Sequence, residues 1–132
     1  RAPSVEAVVE HIAKSTGERV SQSGASAANL LGISTQNPSR QVFWTSGPSR
    51  HLKLGAQSVE LKHVPSWQLR APNSRAGHAF RALAYFGKSE AAHALRRIKA
   101  TLNEEEQREL LSLRASAPTW MAKELSALAS LQ

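Results

Sequence analysis

The sequence predicts an α+β domain: a small antiparallel or mixed sheet with helices packed on it, and a bundle-like helical half toward the C-terminus. Three observations carry that prediction. Residues 41–45 form a β-branched and aromatic run, and at 51–54 and 58–64 apolar and polar residues alternate, the pattern of strands with one wet face. Before and after that stretch, apolar residues recur at three- and four-residue spacing, the pattern of helices with one apolar side. The chain of 132 residues is one domain by length, the usual size being about 100–200 residues, and long enough to bury a core.

Val5, Val8, Val9 and Ile12 mark one face of a first helix near 4–16, with Pro3 in its first turn and Gly17 at its stop. Arg19–Ser23 reads as a short extended piece. Gly24 opens a helix of small residues, Ala25-Ser26-Ala27-Ala28-Asn29-Leu30-Leu31, closed by Gly32 and suited to close approach to another element. Ser34–Ser39 has loop composition. Strands follow at 41–45, 51–54 and 58–64, separated by Gly47-Pro48-Ser49-Arg50 and by Gly55, and stopped by Pro65. Pairing of these strands would put Lys53, Glu60, Lys62 and His51 on the wet face. From Arg75 the period is helical again. One stripe runs Ala76, Phe80, Leu83, Ala84 and another Ala91, Leu95, Ile98, Leu102. Asn103 with Glu106 forms a capping-box start, and Pro118 opens a last helix with Trp120, Met121, Leu125 and Leu128. These stripes read as core.

Composition removes several chemistries. There is no cysteine, hence no disulfide scaffold, zinc finger or thiol nucleophile. All ten acids are Glu, so any mechanism that needs an aspartate is excluded. The apolar runs are too short to span a membrane. No signal-peptide pattern follows Arg1, and a start on Arg rather than Met suggests a piece of a longer chain. The five histidines lack zinc spacing, and no nucleophile elbow, Walker loop or dinucleotide loop is present. The expectation is no catalytic residue, no metal and no cofactor. Ser23-Gly24-Ala25-Ser26 reads as a helix N-cap, with an anion-binding turn as the alternative.

The net charge of +7 is concentrated in the middle of the chain. Residues 40–81 hold Arg40, Arg50, Lys53, Lys62, Arg70, Arg75 and Arg81 against Glu60 alone. Such a field attracts phosphate backbones or acidic protein surfaces, and Trp44 and Trp67 nearby suggest stacking of bases. The helices at 76–86 and 89–101, joined by Gly87-Lys88, loosely suit a helix-turn-helix offering Arg96, Arg97 and Lys99. Glu60-Leu61-Lys62 puts an acid and a lysine on one strand face, the arrangement of restriction-type nucleases, but a second metal-binding acid is missing nearby.

Several phrases together carry a resemblance. They are Arg19-Val20-Ser21-Gln22-Ser23-Gly24-Ala25, then 27–36, then Thr45-Ser46-Gly47-Pro48-Ser49-Arg50, then Glu60-Leu61-Lys62-His63-Val64, and finally Ala117-Pro118-Thr119-Trp120-Met121. Over roughly residues 5–125 the chain resembles the C-terminal region of AbiEi-type antitoxins of bacterial type IV toxin–antitoxin systems. The resemblance implies a non-enzymatic, cytoplasmic transcriptional regulator that binds operator DNA through an N-terminal winged helix. It also implies action against a nucleotidyltransferase-like toxin. The present sequence holds only the C-terminal-type domain, 1–132, without the winged helix. No catalytic residues come with the family. The expected contact surface for DNA phosphates or a partner is Arg40, Arg50, His51, Lys53, Lys62 and Arg70, with the Thr45–Arg50 turn at its centre. The alternatives are a diverged nuclease fold built on Glu60 and Lys62, and a dimerisation module using Trp120, Met121 and Leu128, which would make a homodimer.

Overall fold

The Ser4 hydroxyl accepts the Ala7 N–H at 3.1 Å and starts α1, Val5–Thr16, in a computed structural model that describes residues 4–34 and 41–130. Pro3, Arg40 and all but Ser34 of the expected 34–39 loop lie outside the described residues. Beyond α1 come β1 (Val20–Gln22) and α2 (Gly24–Leu30), whose start is capped by Ser23, the hydroxyl accepting the Ser26 N–H at 3.2 Å. With seven residues, α2 is too short to offer more than that cap.

The strands are β2 (Gln41–Thr45), β3 (Arg50–Leu54) and β4 (Gln57–His63). Together with β1 they make a mixed four-stranded sheet in the order β1-β2-β4-β3. β1 runs antiparallel to β2, β2 parallel to β4, and β4 antiparallel to β3. β4 takes an inner place rather than β3, and burial explains the choice. Val59 and Leu61 of β4 are wholly enclosed, whereas β3 carries exposed His51 and Lys53, charged residues that suit an edge strand and discourage further pairing.

The two sheet faces have different covers. On one, α1 lays Val5 and Val9 on Phe43, Val59 and Leu61, with Ile12, Val20, Leu52 and Leu54 at the margin. On the other, Trp44 packs with Val64 and Leu69, the latter from a 3-10 turn at Ser66–Leu69. Helices therefore do not keep to one face of the sheet. α1 covers one side, and the helical half closes part of the other.

That half contains α3 (Arg75–Phe86), α4 (Ala91–Thr101), α5 (Glu104–Ser112) and α6 (Thr119–Ser130). Their shared core includes Phe80, Leu83, Ile98, Leu110, Met121, Leu125 and Leu128. The Asn103–Glu106 capping box forms at both of its bonds, 2.8 and 2.9 Å. The small residues of α2 do allow close approach. Ala27 and Ala28 are fully buried, and a Cβ on Gly24 would collide with Tyr85 and the Arg81 carbonyl of α3.

Candidate nucleic-acid interface

Strand register decides which basic residues share a surface. His51 stands opposite Glu60, and Lys53 opposite Ser58. Trp44 stands beside Lys62. Because side chains alternate along a strand, His51, Lys53, Glu60 and Lys62 share one face. His51, Lys53 and Lys62 are exposed there and Glu60 is half-buried. The His51 Nε2 comes within 4.0 Å of a Glu60 carboxylate oxygen. Neither lysine is ion-paired among the described residues. Trp44 and Val42 share that face but belong to its closed end, where Trp44 packs with Val64 and Leu69. The open end, over β3 and β4, is a wet patch bearing two lysine ammonium groups.

Arg50 is on the other face. It stands opposite Leu61 and shares parity with Leu52 and Leu54, which lie against the α1 core. Its guanidinium grips Glu18, Nη2 to Oε2 at 2.8 Å and Nη1 to Oε1 at 3.2 Å. The Thr45 hydroxyl donates to the same carboxylate at 2.6 Å. A Cβ on Gly47 would fall inside the Glu18 carboxyl group, so only glycine leaves room for it. Around this centre Thr45 Oγ1 accepts the Gly47 N–H at 3.0 Å, and Ser49 Oγ accepts the His63 N–H at 2.8 Å. The His63 Nδ1–H donates to the Gly47 carbonyl at 2.9 Å, since a carbonyl can only accept. These bonds to the Glu18 carboxylate, chiefly those from Arg50 and Thr45, hold its pKa down at about 2. The Thr45–Arg50 turn is thus a structural lock that consumes the Arg50 charge. Of the bases expected at this surface, Arg50 therefore lies on the sheet face opposite to Lys53 and Lys62.

The remaining expected residues divide. Arg70 follows the 3-10 turn and donates to the Ser116 hydroxyl at 2.6 Å, away from the β3–β4 strands in sequence and element. Arg40 lies outside the described residues. The stacking role expected of the tryptophans fails for a packing reason. Trp44 is buried, and Trp67 sets its ring edge-on to Phe80, with centroids 5.9 Å apart.

Two of the other middle-segment bases are also committed internally. Arg75 pairs with Glu106 at 3.1 Å. Arg81, fully buried, donates to the carbonyls of Arg70, Ala71 and Pro72 and to His78 Nδ1 at 2.9–3.3 Å. Its Nε finds no hydrogen-bond partner among the described residues. A guanidinium can only donate, so the His78 Nδ1 is bare and the ring neutral. Burial, helped by the Arg81 and Arg75 charges, lowers His78 to about 4. Burial also lowers Arg81, to about 10, which leaves it a cation at neutral pH. Sequence reading treated Arg81 as surface charge. Its signal was its place between Phe80 and Ala82 on the apolar side of a helix.

The alternative readings meet the geometry as follows. No group of three or more His or Glu side chains is placed to hold a metal ion among the described residues, and no described helix is long and apolar enough to cross a membrane. Of the residues expected to serve a dimer, Met121 and Leu128 of α6 are buried in the chain's own core and Trp120 packs half-buried against it. α4 exposes Arg96 and Arg97, while α3 is enclosed along most of its length.

Comparison with known proteins yields one relation. The model of DUF6088, a family of unknown function, matches residues 1–110. No curated protein and no solved structure matches the chain.

Proposed function

The chain belongs to the DUF6088 family of unknown function, and we propose that it is a non-enzymatic DNA-contacting domain of the antitoxin and repressor kind. One observation carries this reading: β3 and β4 together present Lys53 and Lys62, with His51, on an open sheet face where neither lysine has an ion-pair partner among the described residues. Lysines so placed act as point charges toward phosphates. They carry no base readout, so the contact is electrostatic and indifferent to sequence. Two such contacts give modest affinity alone, which suits a domain that reinforces a separate sequence-reading module. The resemblance to AbiEi-type antitoxins supplies the setting: repression of a toxin–antitoxin operon, with a nucleotidyltransferase-like toxin as the second partner, in the bacterial cytoplasm. Titration of the isotopically labelled chain with a random-sequence duplex tests the reading. Amide shifts should concentrate at 51–53 and 58–62 and fade with added salt. Shifts that spare β3 and β4 would reject it.

A further inference from the structure

The hydrogen bonds of β1 leave its outer edge open. The Ser46 N–H donates to the Arg19 carbonyl and the Ser23 N–H to the Val42 carbonyl. In an antiparallel ladder bonded pairs alternate, so residues 19, 21 and 23 turn their main chain toward β2. Val20 and Gln22 turn theirs outward, where no strand among the described residues pairs with them.

That edge is the floor of a groove of about 520 Å³. One wall is α1, with Glu6, Val9 and Glu10. The other is built from Leu30, Pro72 and His78. The walls come from the layers on the two faces of the sheet, so the groove continues the sheet plane beyond β1. The second wall is tied to the strand, because the Ser21 hydroxyl donates to the Pro72 carbonyl at 2.8 Å and Arg81 holds the same carbonyl at 3.2 Å. Leu30 stands 58% exposed at the rim. A slot with outward strand groups at its floor and mainly apolar walls fits an extended backbone. In a chain of net charge +7, the α1 wall lines it with Glu6 and Glu10 and with Lys14, which pairs with Glu10 at 3.2 Å, so one carboxylate is in excess there.

We propose that the groove beside β1 binds a short extended segment of a partner protein, adding it to the sheet as a strand whose lysine or arginine side chains meet Glu6 and Glu10. This site is distinct from the Lys53–Lys62 face and stands independently of the DNA-contacting reading.

The test uses the labelled chain and a capped heptapeptide of alternating lysine and valine, with its glutamate–valine counterpart as control. The lysine peptide should shift the amides of Val20–Gln22 and of the α1 wall, and the glutamate peptide should not. Gln22→Pro removes one outward N–H at an edge position where proline is tolerated. It should weaken binding about tenfold, the effect of one or two lost main-chain bonds. Glu6→Lys, an exposed change that leaves the core untouched, should abolish binding even if Gln22→Pro fails to fold. Equal binding by both peptides, no loss in Glu6→Lys, or shifts away from β1 would overturn the proposal. So would β1 shifts that follow protein concentration alone, which would make the occupant a second copy of this chain.

Discussion

Glu18 and Arg50, thirty-two residues apart, meet as a two-point ion pair at 2.8 and 3.2 Å. The pair fastens the segment after α1 to the start of β3. It also turns the most distinctive phrase of the sequence, Thr45 through Arg50, into a cradle for one carboxylate. Arg50→Ala should therefore cost about 2 kcal/mol, between the small value of exposed pairs and the larger value of buried ones. Urea unfolding measures it. The same variant, under conditions where it is folded, should keep the wild-type salt dependence of DNA binding, because Arg50 lies on the sheet face opposite to Lys53 and Lys62. Gly47→Ala should mimic the stability loss by displacing the Glu18 carboxyl group.

Acid should destabilise the fold in two steps. His78 has its pKa lowered from 6.5 to about 4. The unfolded chain therefore takes up that proton first, and the associated stability falls as pH drops from about 6.5 toward 4. Glu18 is lowered from 4.5 to about 2. Its contribution is complete above about 4.5 and is lost as pH falls toward 2. Unfolding free energy measured across pH should show both slopes. His78→Gln should flatten the upper one and leave the lower.

Arg81 organises the turn before α3 through three carbonyls. Arg81→Met leaves those oxygens buried without their donor and should cost about 3 kcal/mol. In whatever fraction stays folded, His78 should titrate closer to its ordinary value, since one of the charges that depresses it is gone. An imidazole titration by NMR reads that shift. An unchanged His78 would assign its depression to burial and the Arg75 charge.

Much of the fold was legible from period and punctuation. The β-branched and aromatic run at 41–45 and the alternation at 58–64 located β2 and β4, and the capping box at Asn103 located α5, because these signals are local. Strand order was not legible. β4 inserts between β2 and β3 because Val59 and Leu61 bury completely, and burial depends on what packs above them. The parity of β3 did contain the correction to the site. Arg50 is in step with Leu52 and Leu54, while His51 and Lys53 are in step with each other. The partner of Arg50, Glu18, lies in another element, and no local pattern links the two. The same holds for the β1 groove, whose walls come from three stretches of chain.

Lys53→Ala and Lys62→Ala should each leave stability within about 0.5 kcal/mol of the parent, as expected for exposed positions without ion-pair partners among the described residues. Thermal unfolding checks this, and it makes the two variants clean tools for the binding question.

The most direct test is a salt series of duplex DNA binding for the parent chain and for the Lys53→Ala, Lys62→Ala double variant. With two phosphate contacts removed, the slope of log affinity against log salt should become shallower by about 1.8, at roughly 0.9 per contact. An unchanged slope in the double variant would contradict the assignment of the β3–β4 face to DNA.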